Sequence, residues 1–454
     1  MADAAMTPAD ALGIVDRVLE RALPGEQLEA VLGWAATTDV RAHEGELEHF
    51  VAATEVGLGV RVIDDHRTGI SWAGVLDDDA IDTAVAEARD NARFSSSDPH
   101  AGLAEPDGVE PQRLDTVDGA LADVPTEAKV DFAMQLDSRL RSADSRMVGH
   151  EGADYGDARV IGAVASTTGI RAVEQETIAQ AAIWALASDG NDVTTGFGLD
   201  SGRGFADLDA DNVVAEAVGR ATALLGASKA DTSRLTVVFD PYVTSQFLGV
   251  VAEMLSGEEA VRGRTPFADR VGDDIAAAML SLYDDPHAGD APTSGAVDGE
   301  GLATRRVPLI EGGVLTGLLH NAYTARSMSS TGTASATRGS HRSAPGVGPR
   351  VLTPEPGSLS PAALRASVGE GVLVQELAGL HSGVNPTSGD LSVGIEGVRL
   401  RGGEPAEPVR EVTIASTIQR MLTDVVAVGS DLRRFPWESS GVSLAIADVT
   451  LSGN

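Results

Sequence analysis

The chain has no cysteine. That excludes a disulfide framework, an iron–sulfur cluster, a thiolate nucleophile and every zinc site that needs sulfur. Lysine is nearly missing too: of 34 basic residues only Lys129 and Lys229 are lysine, against 68 acids, for a net charge of -34. A surface so negative repels phosphate backbones and anionic lipids, so no nucleic acid and no membrane surface is expected as a direct partner. Aromatic residues make up 4 % of the chain, which leaves Val, Leu, Ile and Ala to fill its cores. No apolar run approaches the length of a membrane span. The opening MADAAMTPADALGIVDRVLERAL lacks the basic start of a signal peptide and spaces Leu12, Val15, Leu19 and Leu23 helically. A folded helix and a cytoplasmic location are therefore expected.

What is present is length, apolar content and glycine. With 454 residues and 43 % hydrophobic content the chain can bury a core in each of two or three domains, and 51 glycines imply many tight turns and strand ends. The mixture leans to α+β. The acids are scattered rather than blocked, which reads as a solvated surface adapted to salt.

After the first helix, residues 27 to 76 read as strands with turns at His43-Glu44-Gly45 and at 64–69. Asp77-Asp78-Asp79 then caps a helix to about Phe94, with Ala80, Ile81, Ala84, Val85 and Ala88 on one face. A polar loop (95–111), a helix (about 125–142), a strand-rich stretch (146–200) and a helix near 211–226 follow. Strands followed by an Asp-capped, alanine-rich helix thus occur twice. The two helices, AIDTAVAEARDNA and DNVVAEAVGRATALL, share little beyond helix-forming composition. GASKADTS (226–233) is the best linker, dividing the chain into 1–228 and 229–454.

Beyond it, LTVVFDPYVTSQFLGVVAEMLSGEE (235–259) reads as strand, cap, helix and stop, with Val243, Phe247, Val250, Val251 and Met254 as a core-facing stripe that Leu248 extends. Arg305 to Ile310 and Val314 to His320 form a hairpin signature around Glu311-Gly312-Gly313. MSSTGTASATRGSHRSAPGVGPR (328–350) has few large apolar residues and is too long for a simple connection, as functional or mobile loops are. GLHSGVNPTSGDLSVGIEGVRLRGGE (379–404) is punctuated by glycines that permit close approach of another backbone.

The usual chemistries leave little. None of nine histidines forms an i, i+4 pair, and they read as surface histidines. Ser382 and Ser388 stand near His381 and Asp390, but there is no G-x-S-x-G elbow. Glu253, Glu258, Glu259 and Asp284-Asp285 could pair as acid and base, yet nothing in the sequence separates them from the many other acids. The glycine-rich loops lack the Lys-Ser/Thr of a phosphate loop.

In order along the chain, ELEHFVAATEVGLGVRVIDDHRTGISWAG (46–74), the helix 241–256 with RGRTPFADRVGD (262–273), DGEGLATRRVPLIEGGVLTGLL (298–319), STGTASATRGSHR (330–342), GLHSGVNPTSGDLSVGIEG (379–397) and REVTIASTIQRMLTDVVAVGSDL (410–432) resemble the TldD/PmbA family. These modulator-of-gyrase proteins form two-subunit metallopeptidases. In the catalytic TldD subunit this helix bears H-E-x-x-x-H, and a later cysteine adds a further zinc ligand. Anchored on Ser256-Gly257 and RGRTPF, the first histidine falls on Leu248, the glutamate on Gly249 and the second histidine on Glu253.

Leucine and glycine offer no ligand, and a zinc ion needs three or four. The resemblance therefore implies a PmbA-like (TldE) non-catalytic subunit with no cofactor of its own. Zinc is expected in a TldD-like partner of a heterodimer that cleaves unfolded or leader-bearing peptides. It further implies an α+β N-terminal domain and a strand-rich C-terminal domain with a barrel-like sheet. Gly383, Asn385, Gly389 and Asp390 match the PmbA-side pattern and become the candidate peptide or partner loop; no catalytic residue carries over. Gyrase modulation, the family's older name, requires no DNA contact by this acidic surface. Two other readings stand beside it: an autonomous hydrolase rebuilt around His381 and Asp390, and a homodimeric peptide-binding protein without catalysis.

Overall fold

The computed structural model describes residues 6–453. Residues 1–5 of the opening stretch read above as helical lie outside the described residues. Helix α1 (Pro8–Leu19) starts at Thr7, whose Oγ1 accepts from the Asp10 N–H while the Asp10 carboxylate accepts from the Thr7 N–H. Its buried face is Ala11, Val15 and Val18. The expected Leu12, Val15, Leu19, Leu23 stripe is displaced because the helix ends at Leu19, leaving Leu23 55 % exposed.

Six long antiparallel strands follow in two sets: β1 (Gln27–His43), β2 (Glu46–Asp64) and β3 (Arg67–Ala73), then β4 (Met147–Ser166), β5 (Arg171–Ser188) and β6 (Val193–Gly202). They form one sheet in the order β3-β2-β1-β4-β5-β6, centred on the antiparallel pair β1 and β4. Helix α2 (Asp78–Phe94) follows β3, α3 (Thr126–Ala143) precedes β4, and α4 (Ala210–Ala223) follows β6. Each half is thus helix, three-strand meander, helix. The repeat too faint to establish from the two helix sequences is plain in the topology, because only apolar periodicity, not residue identity, is needed to rebuild the same packing.

All four helices cover one face of the sheet. Leu28, Ala30, Leu32 and Trp34 of β1 pack with α1 and α2, while Val40 and Ala42 pack with α3 and α4. These are all even positions, so with a strand period of two they share a face. The odd positions, Glu29, Val31, Gly33 and Asp39 among them, face away from the helices, and Val31 packs against Leu302 and Ala322 of the second half.

The second half begins with β7 (Ser233–Phe239), α5 (Pro241–Met254) and α6 (Gly257–Val261). An irregular region carries β8 (Leu282–Asp284), β9 (Val307–Glu311), β10 (Val314–Leu315), α7 (Ala322–Met328), β11 (Ala336–Thr337), β12 (Gly346–Val347), β13 (Leu352–Pro354) and α8 (Pro361–Val368). Then come β14 (Gly371–Ala378), α9 (Leu380–Gly383), β15 (Asp390–Arg401), β16 (Glu404–Thr417), α10 (Ile418–Thr423), β17 (Val425–Val428) and β18 (Leu444–Ser452). Strands β7, β14, β15, β16 and β18 close into a five-stranded barrel, with β7 and β14 parallel and the other pairs antiparallel. The second strand of the expected hairpin stops at Leu315 rather than His320; the Thr316 N–H makes a last bond to the Leu309 carbonyl, and beyond it the chain pairs with other segments, Leu319 with Ser256 and His320 with Thr333. Among the described residues no helix is long and apolar enough to cross a membrane.

Candidate functional site

Helix α5 starts where the sequence says it should. Asp240 caps it through Oδ1, which accepts from the Val243 N–H at 2.8 Å, and Pro241 occupies its first turn. Val243, Phe247, Leu248, Val251 and Met254 are fully buried in the barrel core with Phe239, Val374 and Ile414. Each such side chain contributes roughly 1.5–3 kcal/mol when buried. The three positions aligned with zinc chemistry do not converge. Leu248 points into that core, Gly249 lies where an added Cβ would meet Ser439 Oγ at 3.3 Å, and Glu253 is exposed. Among the described residues no three His, Cys, Asp or Glu side chains form a group that could hold a metal.

The helix-free face of the first sheet roofs a cleft of about 540 Å³. β1 and β4 supply Val31, Gly33 and Gly162; β5 supplies Glu174 and Glu176; the second half supplies Asp284, Asp298 and Arg350. The long 328–350 segment, expected to be functional or mobile, is pinned here. Arg338 donates to the Gly299 carbonyl, to the Ser343 carbonyl and, at 2.6 Å, to Glu29 Oε2. His341 lies so close to β2 that a Cβ on Gly57 would sit 2.0 Å from its ring and one on Gly59 1.8 Å from its carbonyl oxygen. Glycine is required there for backbone approach.

Buried carboxylates, Asp284 and Asp298 in the cleft wall and others around it, stand apart from the acidic surface. Glu29, 2 % exposed, takes a two-pronged hydrogen bond from Arg61 (2.9 and 2.8 Å), and Arg61 lies 3.6 Å from buried Glu300. Glu259, read above as solvated, is buried against Arg264. Asp284 accepts from the Arg350 and Val351 N–H groups, and Asp298 from those of Glu300, Leu302 and Ala336. Of these, only Glu259 and Asp284 are singled out by the sequence, and there they read as solvated acids; the signal for Glu29 is a lone acid inside the apolar strand QLEAVLGW. The cleft's one hydroxyl–imidazole contact is not an activated nucleophile. Thr304 Oγ1 lies 3.2 Å from His287 Nε2 but donates its own proton to the Gly295 carbonyl at 2.6 Å, so the ring is the donor to it.

Burial pushes Asp298 up to about 7, with the Glu300 charge adding to it, and burial pushes Asp284 up to about 6. A carboxyl whose folded value lies above its ordinary 3.8 favours folding when protonated. That stabilisation is complete below the ordinary value and is lost as pH rises through the folded one. Relative to Asp298→Asn, the native chain should lose up to about 1.4 kcal/mol of stability per pH unit between about pH 5 and about pH 7. Urea melts across that range check it; parallel curves for the two proteins would refute the assignment.

Gly383, Asn385, Gly389 and Asp390 come together in one turn between α9 and β15. Asn385 Oδ1 accepts from the Thr387 and Ser388 N–H groups, Gly389 N–H donates to the Asn385 carbonyl, and Asp390 Oδ2 accepts from Ser388 Oγ at 2.7 Å. Gly389 has φ +81°, and a Cβ on Gly383 would sit 2.3 Å from the Ser392 carbonyl oxygen. What these glycines admit belongs to the chain itself, the Ser392 backbone at Gly383 and the Gln419 side chain at Gly389. His381 is exposed and makes no hydrogen bond or ion pair among the described residues, so Asp390 engages Ser388 alone. Two histidines are not on the surface as expected: His150 and His320 are each 4 % exposed. His150 Nε2 donates to Asp137 Oδ1 at 2.7 Å, and His320 Nδ1 lies 3.1 Å from Thr324 Oγ1, with burial holding its pKa below the ordinary value.

Three family models, described as PmbA/TldA metallopeptidase domain 1, central domain and C-terminal domain, match residues 29–92, 119–225 and 232–453. Metalloprotease PmbA of Escherichia coli O157:H7 is 27 % identical over 399 residues, covering 87 % of this chain and 85 % of its own. A PmbA homolog from Haemophilus influenzae is 25 % identical over 434 residues, covering 95 % of this chain and 93 % of its own. The crystal structure of TldE from Thermococcus kodakarensis matches with a TM-score of 0.89 over 98 % of this chain and 100 % of that one, at 20 % identity, a likeness of fold.

Proposed function

Since the chain belongs to the PmbA/TldD metallopeptidase family, we propose that it is the PmbA/TldE-like subunit of a two-chain zinc metallopeptidase and leaves the metal to a TldD-like partner. The observation that supports this reading is the layout of α5, where an isobutyl group in the core, a glycine and a solvent-facing glutamate occupy the ligand positions. A zinc ion needs three or four donors aimed at one point. The role left to this chain is to hold the complex together and guide unfolded or leader-bearing peptides, with the cleft over the helix-free sheet face as the path. The 383–390 turn, which exposes Asn385, Thr387, Ser388 and Asp390, is the proposed contact with partner or peptide.

Purified alone, the chain should carry no stoichiometric zinc by elemental analysis and cleave no unfolded peptide; with a TldD-like chain bearing H-E-x-x-x-H, zinc and cleavage should appear together. One zinc per isolated chain, or cleavage by it, would overturn the proposal. The hydrolase reading around His381 and Asp390 draws no support from a base–nucleophile contact. A homodimer that only binds peptide would show as self-association with no effect of the second chain.

A further inference from the structure

A second cavity, larger at about 920 Å³, lies on the other half of the same sheet face, and Pro436 borders both. Its walls are aromatic in a chain that has few aromatics: Trp184 from β5, Phe197 from β6, Tyr242 from the first turn of α5, and Trp437. Two of the four tryptophans meet here. The wall is built rather than incidental. Trp437 stacks on buried Phe435 with ring centres 4.8 Å apart and planes 4° apart, and its Nε1 donates to Ser245 Oγ. Phe197 and Tyr242 pack at 4.4 Å.

Two arginines hold this cluster from behind. The Arg220 guanidinium lies 4.5 Å from the Phe197 ring and 5.5 Å from that of Tyr242, and Arg433 lies 5.0 Å from Phe435. Both are anchored by Glu216, and Arg220 also by Asp240. At the rim the charge is the opposite. Asp39, Glu48, Asp154 and Asp200 face the cavity, and its one cation, Arg41, is taken by a two-pronged bond to Asp154 at 2.7 and 3.1 Å. Asp200 accepts from the Ser201 and Asp209 N–H groups, while Asp39 and Glu48 have no hydrogen bond or ion pair among the described residues.

Aromatic faces and four carboxylates around a single arginine together select a further cation, and a planar one that can stack on indole while presenting a fork of N–H donors uses both. We propose that this cavity binds the guanidinium of an arginine side chain in an extended polypeptide. That the ligand is a polypeptide rests on the subunit reading above; that it is a planar cation rests on the cavity alone.

The test is titration of the full chain with acetyl-Ala-Ala-Arg-Ala-Ala-amide and with the same peptide carrying citrulline, the uncharged planar analogue, followed by tryptophan fluorescence and calorimetry. The arginine peptide should bind at least about tenfold more tightly, with the preference lost in Trp437→Ala and in the rim variant Asp39→Asn/Glu48→Gln, and kept in Trp72→Phe. The rim variant changes only half-buried or exposed side chains, so it reports even where loss of Trp437 disturbs the fold. Equal binding of the two peptides, or a preference that survives the rim variant, would overturn the site. An arginine preference in a chain that itself carries zinc would instead sink the subunit reading and leave the cavity assignment standing.

Discussion

Replacing Glu29 by alanine should cost about 3–5 kcal/mol of unfolding free energy, the range for removing one partner from a buried ion network. Burial opposes ionisation of Glu29, but the charges of Arg61 and Arg338 outweigh it and hold its pKa below the ordinary value. Without it, Arg61, 9 % exposed, keeps only Glu300 at 3.6 Å, and the Arg338 guanidinium loses its one carboxylate. The effect should go beyond global stability, since Arg338 ties the 328–350 segment to the first sheet. Hydrogen exchange at 336–343 should speed up in Glu29→Ala more than exchange in the barrel. The linkage sign is opposite to that of Asp298: a depressed carboxylate contributes stability above its ordinary pKa and loses it as pH falls. A melt that shifts by less than about 1 kcal/mol, with 336–343 still protected, would show that the network is not what secures this loop.

The second large effect is expected from building an H-E-x-x-x-H motif into α5. In Leu248→His/Gly249→Glu/Glu253→His the new imidazole at 248 enters a core that includes Phe247, Val251 and Leu444, with the buried Thr244 hydroxyl one turn back on the helix as the nearby polar group. Lost apolar burial plus the desolvation of a polar ring should cost about 3–5 kcal/mol. Five residues along a helix of 3.6 per turn place positions 248 and 253 roughly 140° apart, so one ring is buried while the other meets solvent. No stoichiometric zinc should appear in elemental analysis, and most of the destabilisation should already be present in Leu248→His alone. One tightly held zinc per chain at undiminished stability would show that α5 can reorganise into a metal site. The proposed non-catalytic role would then rest on the substituted residues alone and not on the fold around them.

Part of the candidate site was legible because its cause is local. The cap Asp240-Pro241 and the apolar spacing of Val243, Phe247, Val251 and Met254 place α5 and its buried face within the sequence itself. The turn at 383–390 is similar, since Asn385 and Gly389 form it with their immediate neighbours. The aromatic cavity was not legible: Trp184, Phe197, Tyr242 and Trp437 come from four separate segments. A clue existed in Arg433-Arg434-Phe435-Pro436-Trp437, an aromatic cluster in an aromatic-poor chain.

By itself the sequence determined what has short range: which segments are helices and strands, that sulfur chemistry is excluded, and that α5 carries leucine, glycine and glutamate at positions 248, 249 and 253. The tertiary structure alone decided which of 68 acids are buried, because that depends on partners such as Arg61, 32 residues from Glu29, and Arg338, 309 residues away. The same holds for the barrel, closed by pairing β16 with β18, and for the two halves of the first sheet. Contacts of that range are chosen by the packing of whole surfaces, which no single stretch of chain encodes.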